Sequence, residues 1–437
     1  MLYLDLGNAL KKTGETPAAA RDAGIRPDPS ASGRDVSLMA VSLTMFLVFV
    51  GFSSGQFHAY LFENRGIESL DIGLLIMAGQ GAGILSPLFQ VSIIRRFHGP
   101  RLPLMMMIAG AGSALALLPH LHGFWPLLAI FCLFSFCAAG LFPLNAACTF
   151  EAMRNRGHGT FFHIRTLGTL GFLLGCAVSV FFPDLADLPL LYSGFAAFLF
   201  LALVVVALEY RYAPPETANL AAVSGTANGA PRTYSAPTFF RSLALLKEPR
   251  TLRLLIVLGT MNFANSMATV VQGNYLVDRW HEGQRAISMA WVVSTTCEVP
   301  LMLLCAAILR RHGLRYVIGF GLAGTLVKLV GLALAGEVWQ FYLALAMHGC
   351  FFSGALTGFS VYLDRAYRKE ERASLQALAP IFYGGIPASL AGLTAGVLWH
   401  SFSLHAVYLV SGGIAALAAG YACLLLWNSG QRGNNKV

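Results

Sequence analysis

Glu298 and Lys328 each stand deep in an apolar run of about 20 residues, where an ionised side chain costs about 2.5–3.5 kcal/mol to hold in hydrocarbon. A carboxyl group held out of water can bind and release a proton near neutrality, the property a proton-coupled carrier requires. Lys328 would supply a countercharge; its other readings are a structural ion pair with Glu298 or a snorkelling side chain. His348 is a further proton-transfer candidate, or else a hydrogen-bonding partner for a neighbouring helix. Asn262, Asn265, Thr269 and Gln272 recur at i, i+3, i+7 and i+10, which is one face of a helix. Lipid cannot satisfy amide groups, so that face must meet other helices or a wet cavity. Carboxamides there suit a polar ligand, because they donate and accept hydrogen bonds without charge. Arg165, Thr169 and Phe172, at i, i+4 and i+7, form a second such face, able to hold an anion or a flat ring. Arg165 reads equally well as one more basic residue at a membrane edge.

Those side chains need a scaffold, and the composition says which solvent it lives in. Of the 437 residues 56% are hydrophobic and only 12% charged, whereas soluble domains carry about 25% charged residues. Apolar runs long enough to cross about 30 Å of hydrocarbon recur along the chain. The expected spans are 38–61, 72–94, 102–119, 125–149, 160–182, 188–210, 254–276, 286–309, 316–335, 339–362, 374–399 and 405–427. The fold expected is therefore an all-α membrane protein of about twelve transmembrane helices.

The net charge of +9 does not point to nucleic acid. With the N-terminus placed in the cytoplasm, every Lys and Arg except Arg65, Arg279, Arg285 and Lys328 falls on the cytoplasmic side, as the positive-inside rule requires. Residues 1–36 are polar with no apolar signal core and read as a disordered cytoplasmic tail. Residues 211–253 contain Pro214, Pro215, Pro231 and Pro237 and read as a cytoplasmic linker. That leaves helical bundles at 37–210 and 254–428 and a short tail at 429–437.

The two bundles echo each other. Tyr60-Leu61-Phe62-Glu63 returns as Tyr275-Leu276-Val277-Asp278, and Arg95-Arg96 returns as Arg310-Arg311, both at an offset of 215. Parallel repeats of this kind place a transport site between the halves.

Twelve spans, a 6–6 linker and basic Gly-containing turns after the second and eighth spans resemble the major facilitator superfamily. The turn keeps the superfamily's Arg and Gly but not its acidic residue. Glu151 and Asp364 stand as partners for a cytoplasmic gate built on Arg95, Arg96, Arg310 and Arg311; ordinary interfacial charge is the alternative. Within the superfamily, Ile164-Arg165 and the Gly168-Thr169-Leu170-Gly171-Phe172 stretch resembles the fifth helix of bacterial nucleoside:proton symporters and phenylpropionate permeases. That resemblance implies substrate-site roles for Arg165, Thr169, Phe172, Asn265 and Glu298. Asn262 and Thr295 match positions where glutamine is usual. It also implies a cavity lined by the first, second, fourth, fifth, seventh, eighth, tenth and eleventh spans.

No phosphate-binding loop, metal-ligand spacing or nucleophile–base pair accompanies these residues, so no cofactor and no enzymatic activity are expected. The eight cysteines read as small packing residues and Trp291 as a lipid-facing or packing group. The function expected is proton-coupled uptake of a small polar, ring-containing solute, nucleoside-like, by a monomer in the bacterial inner membrane with both termini cytoplasmic. The alternatives are an aromatic carboxylate permease, an efflux carrier, or a receptor that kept the fold without transport.

Overall fold

The computed structural model describes residues 38–96, 101–152, 159–182, 187–209, 244–367, 375 and 378–433. The side chains of Arg95, Arg96, Glu151 and Arg165 lie outside the described residues, as do most of the expected tails and linker.

Apolar sequence with no neighbouring strand satisfies its backbone only as helix, and no strand occurs among the described residues. The helices are α1 (Leu38–Phe52), α2 (His58–Asn64), α3 (Ser69–Arg96), α4 (Arg101–Leu117), α5 (Phe124–Ala152), α6 (Gly159–Ser179) and α7 (Leu188–Glu209) in one half. The other half has α8 (Pro249–Val270), α9 (Gln272–Trp280), α10 (Gln284–Arg311), α11 (Leu314–Leu334), α12 (Val338–Leu345), α13 (Thr357–Ala366), α14 (Ile386–Ser401) and α15 (Leu404–Gly433). α8 begins inside the expected linker, where Pro249 fits the first helical turn because its missing N–H would have no partner there.

Nine spans among the described residues are long and apolar enough to cross a membrane, or ten if α8 and α9, bent by 48° at Val271, count as one. The expected fifth and tenth spans fall short of that measure among the described residues. For the fifth, the described side chains begin at Thr166, which leaves the apolar stretch Thr166–Ser179. The tenth is interrupted: α12 ends, a turn carries His348, and a π-helical segment Phe351–Leu356 follows before α13. Such π segments widen a helix locally and recur at functional positions.

The internal repeat is visible in the elements. α3 and α10 both run 28 residues, and their first and last residues differ by the same 215 found in the sequence. The first helix of each half breaks at the equivalent place, α1 into α2 through Ser53–Phe57 and α8 into α9 at Val271. Tyr192 in α7 and Tyr408 in α15 are both fully buried, and each hydrogen-bonds the first helix of its own half, at His58 and at the Ala268 carbonyl.

The halves meet along two seams, α3 against α14 and α6 against α10. Glycine makes the first one possible. A Cβ at Gly73 would stand 2.8 Å from the Cα of Gly396, so these backbones touch with no side chain between them. The outer surface is apolar: Leu303, Leu334, Leu343 and Leu417 are 64–76% exposed, as lipid-facing residues should be.

Candidate substrate cavity

A cavity of about 690 Å³ opens between the halves, a size that encloses a small organic molecule. Among the described residues, those lining it come from eight of the expected spans, namely the first, second, fourth, fifth, seventh, eighth, tenth and eleventh, and none from the other four. The superfamily resemblance implied that set.

Polarity differs between its walls. α8 contributes Asn262, Asn265, Ser266 and Thr269, and the turn before the π segment contributes His348. Behind this wall lies Lys328, 1% exposed, whose Nζ donates to Asn265 Oδ1 at 2.9 Å and stands 2.8 Å from His348 Nδ1. Asn262 donates to the Gly384 carbonyl at 3.3 Å, and Thr269 Oγ1 donates to the Asn265 carbonyl at 2.7 Å. The other wall is richer in rings and small residues: Phe52, Phe131, Phe134, Ala138 and Ala139, with Gln56, His58, Gln80 and Ser135 among them. His58 Nδ1 is 2.9 Å from Tyr192 Oη, and its ring meets Phe131 and Phe134 edge-on, each at 5.2 Å.

Of the candidate site residues read from the sequence, Phe172, Asn262, Asn265, Thr269 and His348 line the cavity, and Lys328 joins two of them. Thr169 and Thr295 are buried but do not line it. Gln272 was expected to continue the α8 stripe. The bend at Val271 carries it into α9, where it is buried away from the cavity. Glu298 is half-buried in α10 and packs against the backbone beside His348: a Cβ at Gly349 would stand 2.8 Å from the Glu298 Cα. Arg310, Arg311 and Asp364 are exposed near helix ends.

Trp291, expected as a lipid-facing or packing group, packs: it meets Phe172 across the α6–α10 seam at 5.8 Å and His348 at 5.5 Å, and it lines the cavity as well. Its signal was its spacing: it lies seven residues before Glu298, on the same helical face. His58 and Gln56 were also missed, and their position just before the repeated Tyr60 segment was the cue.

Hydrogen bonds across the halves concentrate towards the end of the bundle that bears α2 and α9. There Asn274 Nδ2 donates to Glu63 Oε2 at 2.6 Å and Gln284 Nε2 donates to the Phe182 carbonyl at 2.8 Å. Farther along, Ser389 Oγ donates to the Met77 carbonyl at 2.8 Å. Among the described residues no His, Cys, Asp and Glu cluster could hold a metal, and all eight cysteines are free thiols.

Similar architecture occurs in solved proteins. A crystal structure of a variant of the nucleoside transporter NupG superposes with a TM-score of 0.77 at 15% identity, covering 89% of this chain and 99% of that one. A second NupG structure gives 0.73 at 16% identity, with 89% and 98% covered. A POT family transporter in complex with a thioalcohol-conjugated peptide gives 0.67 at 14% identity, with 90% and 96% covered. At such identities the likeness is one of fold. No curated protein matches by sequence. The family model described as MFS_1 like matches residues 38–410, which takes in both halves and all the cavity-lining residues. The chain therefore belongs to the MFS_1 like family, and is an integral membrane transporter of the major facilitator type.

Proposed function

We propose that this transporter is a secondary active, proton-coupled carrier that takes up a small polar solute containing a ring, with a nucleoside as the leading candidate. The observation that carries the reading is the Lys328–Asn265–His348 group, a buried amine bonded to two residues of the cavity wall. Holding an ionisable amine there is expensive unless it acts on something. Phe172, Trp291 and Phe352 offer ring faces beside that group, which suits a ligand with a flat part and a polar edge.

In this reading the bundles at 37–210 and 254–428 rock about the cavity by alternating access. The protein sits in a bacterial inner membrane with both termini, the linker and the Arg310 end cytoplasmic. Arg165, Thr169 and Asn262 orient the solute, Gln272 and Thr295 support that wall, and Glu298 carries the coupling proton with Lys328 and His348 as its partners. Arg95, Arg96, Glu151, Arg310, Arg311 and Asp364 form the cytoplasmic gate. The closed seam at the α2–α9 end supports an arrangement in which the opposite end admits solute.

The test is uptake of labelled uridine into proteoliposomes under an imposed pH gradient. In Glu298→Gln, pH-driven accumulation should vanish while binding persists. Accumulation at the wild-type level would remove Glu298 from the coupling.

A further inference from the structure

Resting on the proposal that this cavity is the transport site, we infer that Lys328 determines its specificity by turning the polar wall into a surface of hydrogen-bond donors, which selects ligands with a carbonyl or carboxylate oxygen on a ring. In its ammonium form Lys328 has three N–H donors and no acceptor, so it can engage only lone pairs. On one side it takes Oδ1 of Asn265, and on the other Nδ1 of His348. Each of those residues lines the cavity, while Lys328 itself does not.

What each has left follows from its inventory of atoms. With Oδ1 engaged by the amine, Asn265 offers the cavity its Nδ2–H₂. With Nδ1 accepting, His348 is the neutral tautomer that carries its hydrogen on Nε2, a second donor. Trp291, stacked edge-on against His348 at 5.5 Å, has an indole nitrogen that can only donate. Two residues that are ambivalent in isolation are thereby fixed in one sense by a third that the ligand never touches. Lys328 is a positioning residue. A ligand ammonium would find donors facing donors beside a buried cation, and would be rejected.

The test uses three probes that share a ring and differ in head group: 4-hydroxybenzoate, 4-hydroxybenzamide and 4-hydroxybenzylamine. Binding is read by titration calorimetry on the full chain in detergent. The wild type should prefer the carboxylate and the amide over the amine by about tenfold or more, the scale of a hydrogen bond to a charged group. Lys328→Met should abolish that order and Lys328→Arg should keep it, which loss of packing alone would not do. Should Lys328→Met fail to fold, Asn265→Asp is nearly isosteric, pairs with the same amine, and replaces the exposed donor with an acceptor. It should weaken carboxylate binding about tenfold. Equal binding of the amine, absence of carboxylate binding, or a head-group order unchanged in Asn265→Asp overturns the inference. Ala139→Trp, which fills the cavity from the opposite wall, separates the two levels. Binding that survives it would fail the cavity reading itself. Binding that it abolishes, but that ignores Asn265→Asp, would fail only the role of Lys328.

Discussion

The two halves share a plan and differ in what they carry at its centre. In each, a buried tyrosine on the last helix ties down a broken first helix, but Tyr192 does so through the side chain of His58 and Tyr408 through the backbone carbonyl of Ala268. Glu298, Lys328 and His348 have Gly83, Ser113 and Leu133 as counterparts at the 215-residue offset, none of them ionisable. Among the described residues, Glu298, Lys328 and His348 all belong to the second half, while the first supplies rings and small residues around His58. A pseudo-symmetric scaffold can close symmetrically around a site that is chemically one-sided, and a one-sided site can hold an asymmetric solute in a single orientation.

The largest effect should come from the seam on which both halves depend. Gly73→Leu forces a side chain into space held by the Gly396 backbone and should destabilise the protein by about 3 kcal/mol, read as a lower melting temperature in detergent. An unchanged melting point would mean that the α3–α14 contact is not close-packed in the membrane protein. Next come the two tyrosines, which set the halves against each other directly. Tyr192→Phe strips His58 Nδ1 of its partner when Nε2 already has none, and should lower stability by about 2 kcal/mol. Tyr408→Phe removes a bond to a backbone carbonyl and should lower it by about 1 kcal/mol. The reverse order, measured by thermal or denaturant unfolding, would break the comparison.

The smallest effect is expected at the Glu63–Asn274 bond, which joins the repeat-related helices α2 and α9 across the halves. Asn274 is buried but its Oδ1 has no partner, and Glu63 is exposed so that water can replace the lost bond; Asn274→Ala should therefore leave the melting temperature nearly unchanged. It should shift the population open at that end by about two- to fivefold. Maleimide labelling of a cysteine introduced at Ser266, in a cysteine-free background, reports that shift from the α2–α9 side. Labelling no faster than in the parent would show that this bond does not hold the end closed.

Much of this was legible in the sequence because membrane physics is unforgiving. Polar residues in apolar spans stand out, so Asn265, Lys328 and His348 were each visible. Their meeting was not, since it joins α8, α11 and the turn after α12 across sequence separations of 63 and 20 residues. The repeat was readable from two short segments, and the matched breaks in α1 and α8 gave it a structural meaning. Gln272 was misplaced because helical spacing was carried through a bend that no proline announces. That Trp291 also lines the cavity was not legible, because an aromatic residue in an apolar run looks the same whether it faces lipid, a neighbouring helix or a cavity. The tenth span shows the same limit in reverse, since its turn and π-helical segment interrupt a run that reads as continuous in sequence.

The central claim is that the polar wall of the second half is where the solute is held. The most direct measurement is uridine uptake into proteoliposomes under a pH gradient, comparing the wild type with Asn265→Asp at matched melting temperature. The account predicts uptake in the wild type and its loss in the variant. Uptake by Asn265→Asp at the wild-type rate would contradict it.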